Sequence, residues 1–117
     1  MSTYFTDKPV VYKSLAFLGF PKHRVGNDGS IWSRGKNWKC GEWRSVKVSV
    51  WKGGHYSTVT LSYRRREWTV RLSRLVLMAF VGPPPEGMMA CHYPDQDLMN
   101  NRLDNLRWAT AQDNMDD

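Results

Sequence analysis

The stretch "CHYPDQDLMNNRLDNLRWATAQDN", Cys91 to Asn114, gathers the residues of this chain best suited to proton transfer or cation chemistry. It holds the imidazole of His92, the carboxamides of Asn100, Asn101, Asn105 and Asn114, and the carboxylates of Asp95, Asp97, Asp104 and Asp113. An imidazole titrates near neutrality, so it can accept or donate a proton under ordinary conditions. A carboxamide braces a loop through two donors and an acceptor, or offers a neutral oxygen to a hard cation. Each group also has an ordinary reading. A single histidine is more often a surface or packing residue, Asn100 and Asn101 read as turn formers, Asn105 as a loop or helix cap, and Asp113 as a cap. Zinc chemistry is not indicated, because Cys40 and Cys91 lie far apart with no C-x-x-C spacing, and the same pattern argues against a disulfide framework.

The elements that must position these groups come from a chain of 117 residues, long enough for one domain with a modest core. Charge divides it sharply. Residues 1–81 carry 15 Lys and Arg against 4 Asp and Glu, whereas residues 82–117 carry 2 against 7. A basic first part suits a polyanion, since each cation that neutralises a phosphate releases condensed counterions. Solubility alone is the plainer reading of the same charge. The N-terminal "MSTYFTDKPVVYKSLAFLGF" is interrupted by Asp7, Lys8 and Lys13, lacks the basic start and unbroken apolar run of a secretory signal, and no later run could span a bilayer. The expectation is a soluble, cytoplasmic protein.

Periodicity places the strands. Gly26 to Gly29 reads as a turn between an extended piece around Arg24 and Val25 and a strand at Ser30–Ser33, and "GKNWKCGEW" as a loop. Alternation then predicts three strands: "VKVSVW" with Val46, Val48 and Val50 inward, "TVTLSY" with Val59, Leu61 and Tyr63, and "EWTVRL" with Trp68, Val70 and Leu72. Reversals at Lys52–Gly54 and at Arg64 and Arg65 make an antiparallel meander. Its other face should show Lys47, Ser49, Thr58, Thr60, Ser62, Thr69 and Arg71, with Arg64, Arg65 and Arg66 near one tip. Such a ribbon suits a DNA major groove, short polar groups reaching base edges while cations hold phosphates; singly, each Ser or Thr is an ordinary exposed strand residue. The tryptophans Trp32, Trp38, Trp43, Trp51 and Trp68 read as core or rim packing.

Ser73 is a fair N-cap for a buried helix, "RLVLMAFV", which "GPPPEG" stops. Beyond this joint, "MMACHY" predicts a strand ending at His92, "YPDQDLMNNRLDN" a polar loop, "LRWAT" a second strand, and "TAQDNMDD" the start of a helix capped by Thr110 and Asp113. The fold class is therefore α+β: a small antiparallel sheet with one buried helix over residues 1–81, then a strand-strand-helix module over residues 82–117.

Strand, loop, strand and helix, with His92 closing the first strand, Asn105 just before the second and Asn114 in the first helical turn, resemble the ββα-metal module of HNH endonucleases. "RLSRLVLMAFVGPPPEGM", "CH", "NNRLDNLRWAT" and "DN" are similar in order and spacing to the phage and intron-encoded homing type, and "FPKHRVGNDGSIWSR" resembles a short motif that accompanies it. The resemblance implies hydrolysis of phosphodiester bonds in duplex DNA, by nicking or double-strand cleavage. Under it His92 is the general base, Asn114 a ligand of one divalent ion, Mg²⁺ or Mn²⁺, and Asn105 the residue that braces the loop and so orients the histidine. It places Cys91 where several members have a metal-binding aspartate, leaving Cys91 in that role, a site that relies on Asn114, His92 and water, or one that recruits Asp95. Ser73 stands where the helix often begins with a histidine. The expected partner is double-stranded DNA read by Lys47, Ser49, Thr58, Thr60, Arg64, Arg65, Arg66 and Arg71, the protein acting as a monomer or homodimer, phage-encoded, in a bacterial host. A DNA-binding module that has lost catalysis is the rival class, and an RNA-binding protein the third.

Overall fold

Where apolar and polar residues alternate, the chain forms strands that turn one edge of each pleat inward. A computed structural model describes residues 9–34, 42–50 and 56–110. β1 (Tyr12–Leu15), β2 (Phe20–Gly26), β3 (Ile31–Ser33) and β4 (Arg44–Ser45) form an antiparallel sheet in sequence order. A second sheet joins β5 (Ser49–Val50), β6 (Ser57–Tyr63) and β7 (Arg66–Arg71), and a two-stranded ribbon pairs β8 (Met89–His92) with β9 (Leu106–Ala109). The α+β class read from the sequence is the one observed.

The second and third expected strands hold in register. Val59 and Leu61 of β6 and Val70 of β7 are buried, while Thr60, Ser62 and Thr69 are exposed, and Tyr63 faces Arg66 across the two-residue reversal at Arg64 and Arg65. The first expected strand does not hold. Residues 46–48 cross from one sheet to the other, with Arg44–Ser45 paired to β3 and only Ser49–Val50 paired to β6. Val46 and Val48 pack against the core as the alternation requires, but Val50 is half exposed. The alternation was real; the segment divides its backbone hydrogen bonds between two sheets, so what reads as one strand is a crossover. Trp51 and the Lys52–Gly54 reversal lie outside the described residues, as do Trp38 and Cys40. Of the other tryptophans, Trp68 stacks on Phe20, and Trp43 lies against the Arg24 guanidinium, which is also over the Tyr12 ring.

The helix α1 (Leu72–Phe80) sits at the centre. Leu72, Leu75, Val76 and Leu77 are buried, Met78, Ala79 and Phe80 partly so, and Arg74 alone of its residues is exposed. A helix apolar nearly all round must be covered on most sides. Here β1, β2, β6, β7, β8 and β9 all pack on it. Its start corrects the expected cap: Arg71, in extended conformation, precedes the first turn without a side-chain cap, and Ser73 is a buried helical residue. Leu72 fits both the period-two set with Trp68 and Val70 and the helical set with Leu75 and Val76, and packing gave it to the helix. At the other end Gly82, with φ +128°, sends its N–H back to the Leu77 carbonyl at 3.0 Å, and its own carbonyl accepts the Trp108 indole N–H at 3.1 Å. This ties β9 to the joint that "GPPPEG" makes. Among the described residues no helix is long and apolar enough to cross a membrane.

Leu75 is fully buried at the meeting point of these layers. Leu75→Ala should lower unfolding free energy by about 2–5 kcal/mol, read as a shift in urea midpoint without a change in slope.

Candidate active site

Reciprocal hydrogen bonds of one buried amide organise the loop between β8 and β9. Asn105, 3% exposed, accepts the Asp95 N–H at 2.8 Å through Oδ1 and donates from Nδ2 to the Asp95 carbonyl at 2.8 Å and the Asn100 carbonyl at 3.2 Å. Its own carbonyl takes the Tyr93 N–H at 3.0 Å. Every polar atom of the side chain is thereby matched, which an amide in a buried position requires. The aspartates finish the turns. The Asp95 carboxylate accepts the Asp97 N–H and the Asn100 side-chain amide, each at 3.0 Å, and the Asp97 carboxylate accepts the Met99 N–H at 3.0 Å. The Asn100 amide, then the Asp97 N–H, holds the Asp95 pKa below its ordinary value; desolvation opposes them, and the His92 ring adds a lesser lowering.

His92 ends β8 in a half-buried position, where the ribbon opens into this loop. Its Nε2 lies 2.9 Å from Oδ1 of Asn101, which is 5% exposed. Asn101 reads from the sequence as a turn former; only its contact marks it as part of the site. A depression beside the imidazole is lined by Ala90, Cys91, Gln96 and Leu98. Ala90 also lines a larger cleft with Thr69, Arg71, Arg74 and Met89, so the basic strand β7 and the exposed Arg74 adjoin the ribbon that carries His92. Arg74 is a cation the sequence reading left out; its isolation among apolar helix residues was the available signal.

The other expected residues fall in three groups. Cys91, next to His92 on β8, is 3% exposed, and its thiol is directed to the Met89 carbonyl. Asn114 and the helix with its Thr110 and Asp113 cap extend into residues 111–117, outside the described residues. On the second sheet Ser49 pairs with Thr58, Thr58 with Arg71, and Thr60 with Thr69, whose hydroxyls share a hydrogen bond of 2.8 Å. Glu67, opposite Ser62, puts one acid on that face. Arg64, Arg65 and Arg66 are exposed at the hairpin tip, Arg64 with φ +59°, while Lys47 is exposed on the crossover. Arg71 lies 4.0 Å over the Tyr56 ring.

Residues 70–116, from the end of β7 through the ribbon, match the family model described as HNH endonuclease. Over this segment the chain is similar to the HNH endonucleases. It is 28% identical over 117 residues to an uncharacterized HNH endonuclease of Acanthamoeba polyphaga mimivirus, covering 98% of this chain and 28% of that protein. It superposes with a TM-score of 0.71 on the HNH homing endonuclease I-HmuI, from a structure of its DNA binding and cleavage, at 27% identity over 91% of this chain and 56% of that one. The chain therefore spans about a quarter and about half of these two HNH relatives.

The donors present suit a hard cation. Amide and carboxylate oxygens dominate this stretch, the donor type that hard cations take, and among the described residues no three His, Cys, Asp or Glu side chains gather into a cage. A magnesium-type site that borrows substrate phosphate and water needs only one or two protein ligands.

Two outcomes test the loop. Asn105→Ala should cost about 1–3 kcal/mol in urea unfolding, and Asn105→Asp more, because a buried carboxylate would face two carbonyl oxygens it cannot bond. Asp95, whose pKa is depressed, supports the turn fully above its ordinary value of 3.8, and that support fades as pH falls through its own lower pKa. An NMR titration should place the Asp95 midpoint below 3.8, and Asn100→Ala should raise it.

Proposed function

We propose that this protein is a DNA endonuclease of the HNH type, hydrolysing phosphodiester bonds in duplex DNA. The observation that carries the reading is the placement of His92: a half-exposed imidazole at the mouth of the β8–β9 loop, hydrogen-bonded within a segment braced by Asn105 and adjoining a cleft edged by Arg71 and Arg74. Likeness to HNH endonucleases over residues 70–116 supports it.

In this reading His92 removes the proton from the attacking water, a task that suits an imidazole near neutral pH. Asn105 holds the loop so that the ring stays at the mouth of the ribbon. Asn114 would contribute an amide oxygen to one divalent ion, Mg²⁺ or Mn²⁺, with Asp95, whose carboxylate feels the His92 ring, available to support it. The ion, when bound, supplies Lewis acidity at the scissile phosphate and at the departing 3′ oxygen. Cys91 is left out of the ligand set, since its thiol is buried and turned to a main-chain carbonyl. Arg64, Arg65, Arg66 and Arg71, with Lys47, hold phosphates, and Ser49, Thr58 and Thr60 line the face that meets the duplex. One such site cuts one strand, so a monomer nicks, and a double-strand break takes a dimer or two encounters. The division into a DNA-gripping part, residues 1–81, and a cutting part, residues 82–117, goes with this assignment, as does action inside a cell.

Supercoiled plasmid with Mg²⁺ or Mn²⁺ should relax to open circles and EDTA should stop it, while His92→Ala should lose at least about 100-fold in rate with DNA affinity kept. Cleavage by His92→Ala at the wild-type rate removes the histidine from the chemistry. Wild-type protein that binds DNA yet never cuts it would be a binding module instead. Neutralising Arg64, Arg65 and Arg66 together should reduce the slope of log affinity against log salt by up to about 3, and an unchanged slope would mean they do not touch phosphate.

A further inference from the structure

An amide oxygen has lone pairs and no proton, so whatever bonds to it must donate. Oδ1 of Asn101 lies 2.9 Å from Nε2 of His92, while its Nδ2 faces the Leu98 carbonyl at 3.5 Å, so the oxygen is the end of the amide turned to the ring. Nε2 must therefore carry the hydrogen, and in the neutral ring the lone pair is left on Nδ1. We infer that Asn101 is a positioning residue that holds His92 in the Nε2–H tautomer with Nδ1 as the proton acceptor; the inference rests on the reading of His92 as general base.

Asn101 is itself seated by the first sheet. Its backbone carbonyl packs against Gly29 so closely that a Cβ there would come within 2.9 Å of the oxygen, and Gly29 has φ +86°, where other residues are strained. Two residues on, the Leu103 N–H donates to the Asn27 carbonyl at 2.8 Å. Asn27 in turn exchanges hydrogen bonds with Val11, its N–H going to the Val11 carbonyl at 2.9 Å and the Val11 N–H to its side-chain oxygen at 3.2 Å. The β2–β3 turn thus forms the floor on which the Asn101 segment rests. Asn101 is 5% exposed, so its place is set by packing and not by solvent. This divides the labour of two asparagines: Asn105 shapes the loop, and Asn101 sets the ring.

The ¹⁵N shifts of the His92 ring in the whole chain, recorded where the imidazole is neutral, test this directly. The wild type should show the proton on Nε2. Asn101→Leu, similar in size with no acceptor, should give mixed tautomers and lower plasmid-nicking kcat about 10- to 100-fold, with KM little changed. Asn101→Asp keeps the acceptor and should restore the Nε2–H signature and part of kcat. Gly29→Ala would meet the Asn101 backbone and Cβ but neither its amide nor the imidazole, and should move the His92 ring signals. A proton on Nδ1 in the wild type overturns the inference, with no variant needed. So does Asn101→Leu with wild-type tautomer and kcat, and Gly29→Ala with unmoved ring signals overturns the seating. If His92→Ala nicks at the wild-type rate, the general-base reading fails instead, a result separable from the ring spectrum.

Discussion

A carboxamide shut away from water must find partners for both its ends, and in this protein that demand on Asn105 shapes everything around the ribbon. By bonding to Asp95 in both directions and to Asn100, the side chain draws a long polar loop into one conformation. Without it, residues 93–104 would have few apolar contacts to order them, and the conformational entropy of so many polar residues would go unopposed. The amide achieves this without a charge. A carboxylate in its place would lose the donors and bury a negative group beside the site proposed to take phosphate.

The acids that give the second part its negative charge have a structural use. Asp95 and Asp97 accept main-chain N–H groups and so close successive turns, which accounts for carboxylates in a protein whose proposed ligand is a polyanion. Most of the cations sit elsewhere, among them those on the hairpin tip, on β7 and at Arg74, and several rest over aromatic rings, as Arg71 does over Tyr56 and Arg74 over Trp108. Such seating covers the apolar faces of the rings while the guanidinium edges stay free to donate. The central helix then joins the two kinds of surface, because β7 leads straight into it and β8 packs across it. A shift in the sheet would be transmitted to the ribbon through a close-packed core.

Much of this was legible in the residues alone. Alternation in β6 and β7 is a property of side-chain period, and burial follows it wherever one face meets the core. The ribbon of β8 and β9 and the placement of His92 at its mouth were equally plain, since an apolar run bounded by polar turn residues has few other solutions. The segment from Val46 to Val50 had the same alternation and a different outcome: side-chain pattern says which way residues face, not which neighbour takes the backbone hydrogen bonds. The start of α1 escaped for a related reason, because Leu72 satisfied two periods at once.

The chain's composition and spacing by themselves determined the class of fold, the separation of basic from acidic parts and the single imidazole suited to proton transfer in the Cys91–Asn114 stretch, because these depend on residue type and local period. Which asparagine touches that imidazole was decided only by the tertiary structure. Asn100 and Asn101 are adjacent and chemically identical, and nothing local distinguishes them; the packing of one backbone carbonyl against Gly29, from a turn some seventy residues earlier, sends one amide to the ring and the other to Asp95.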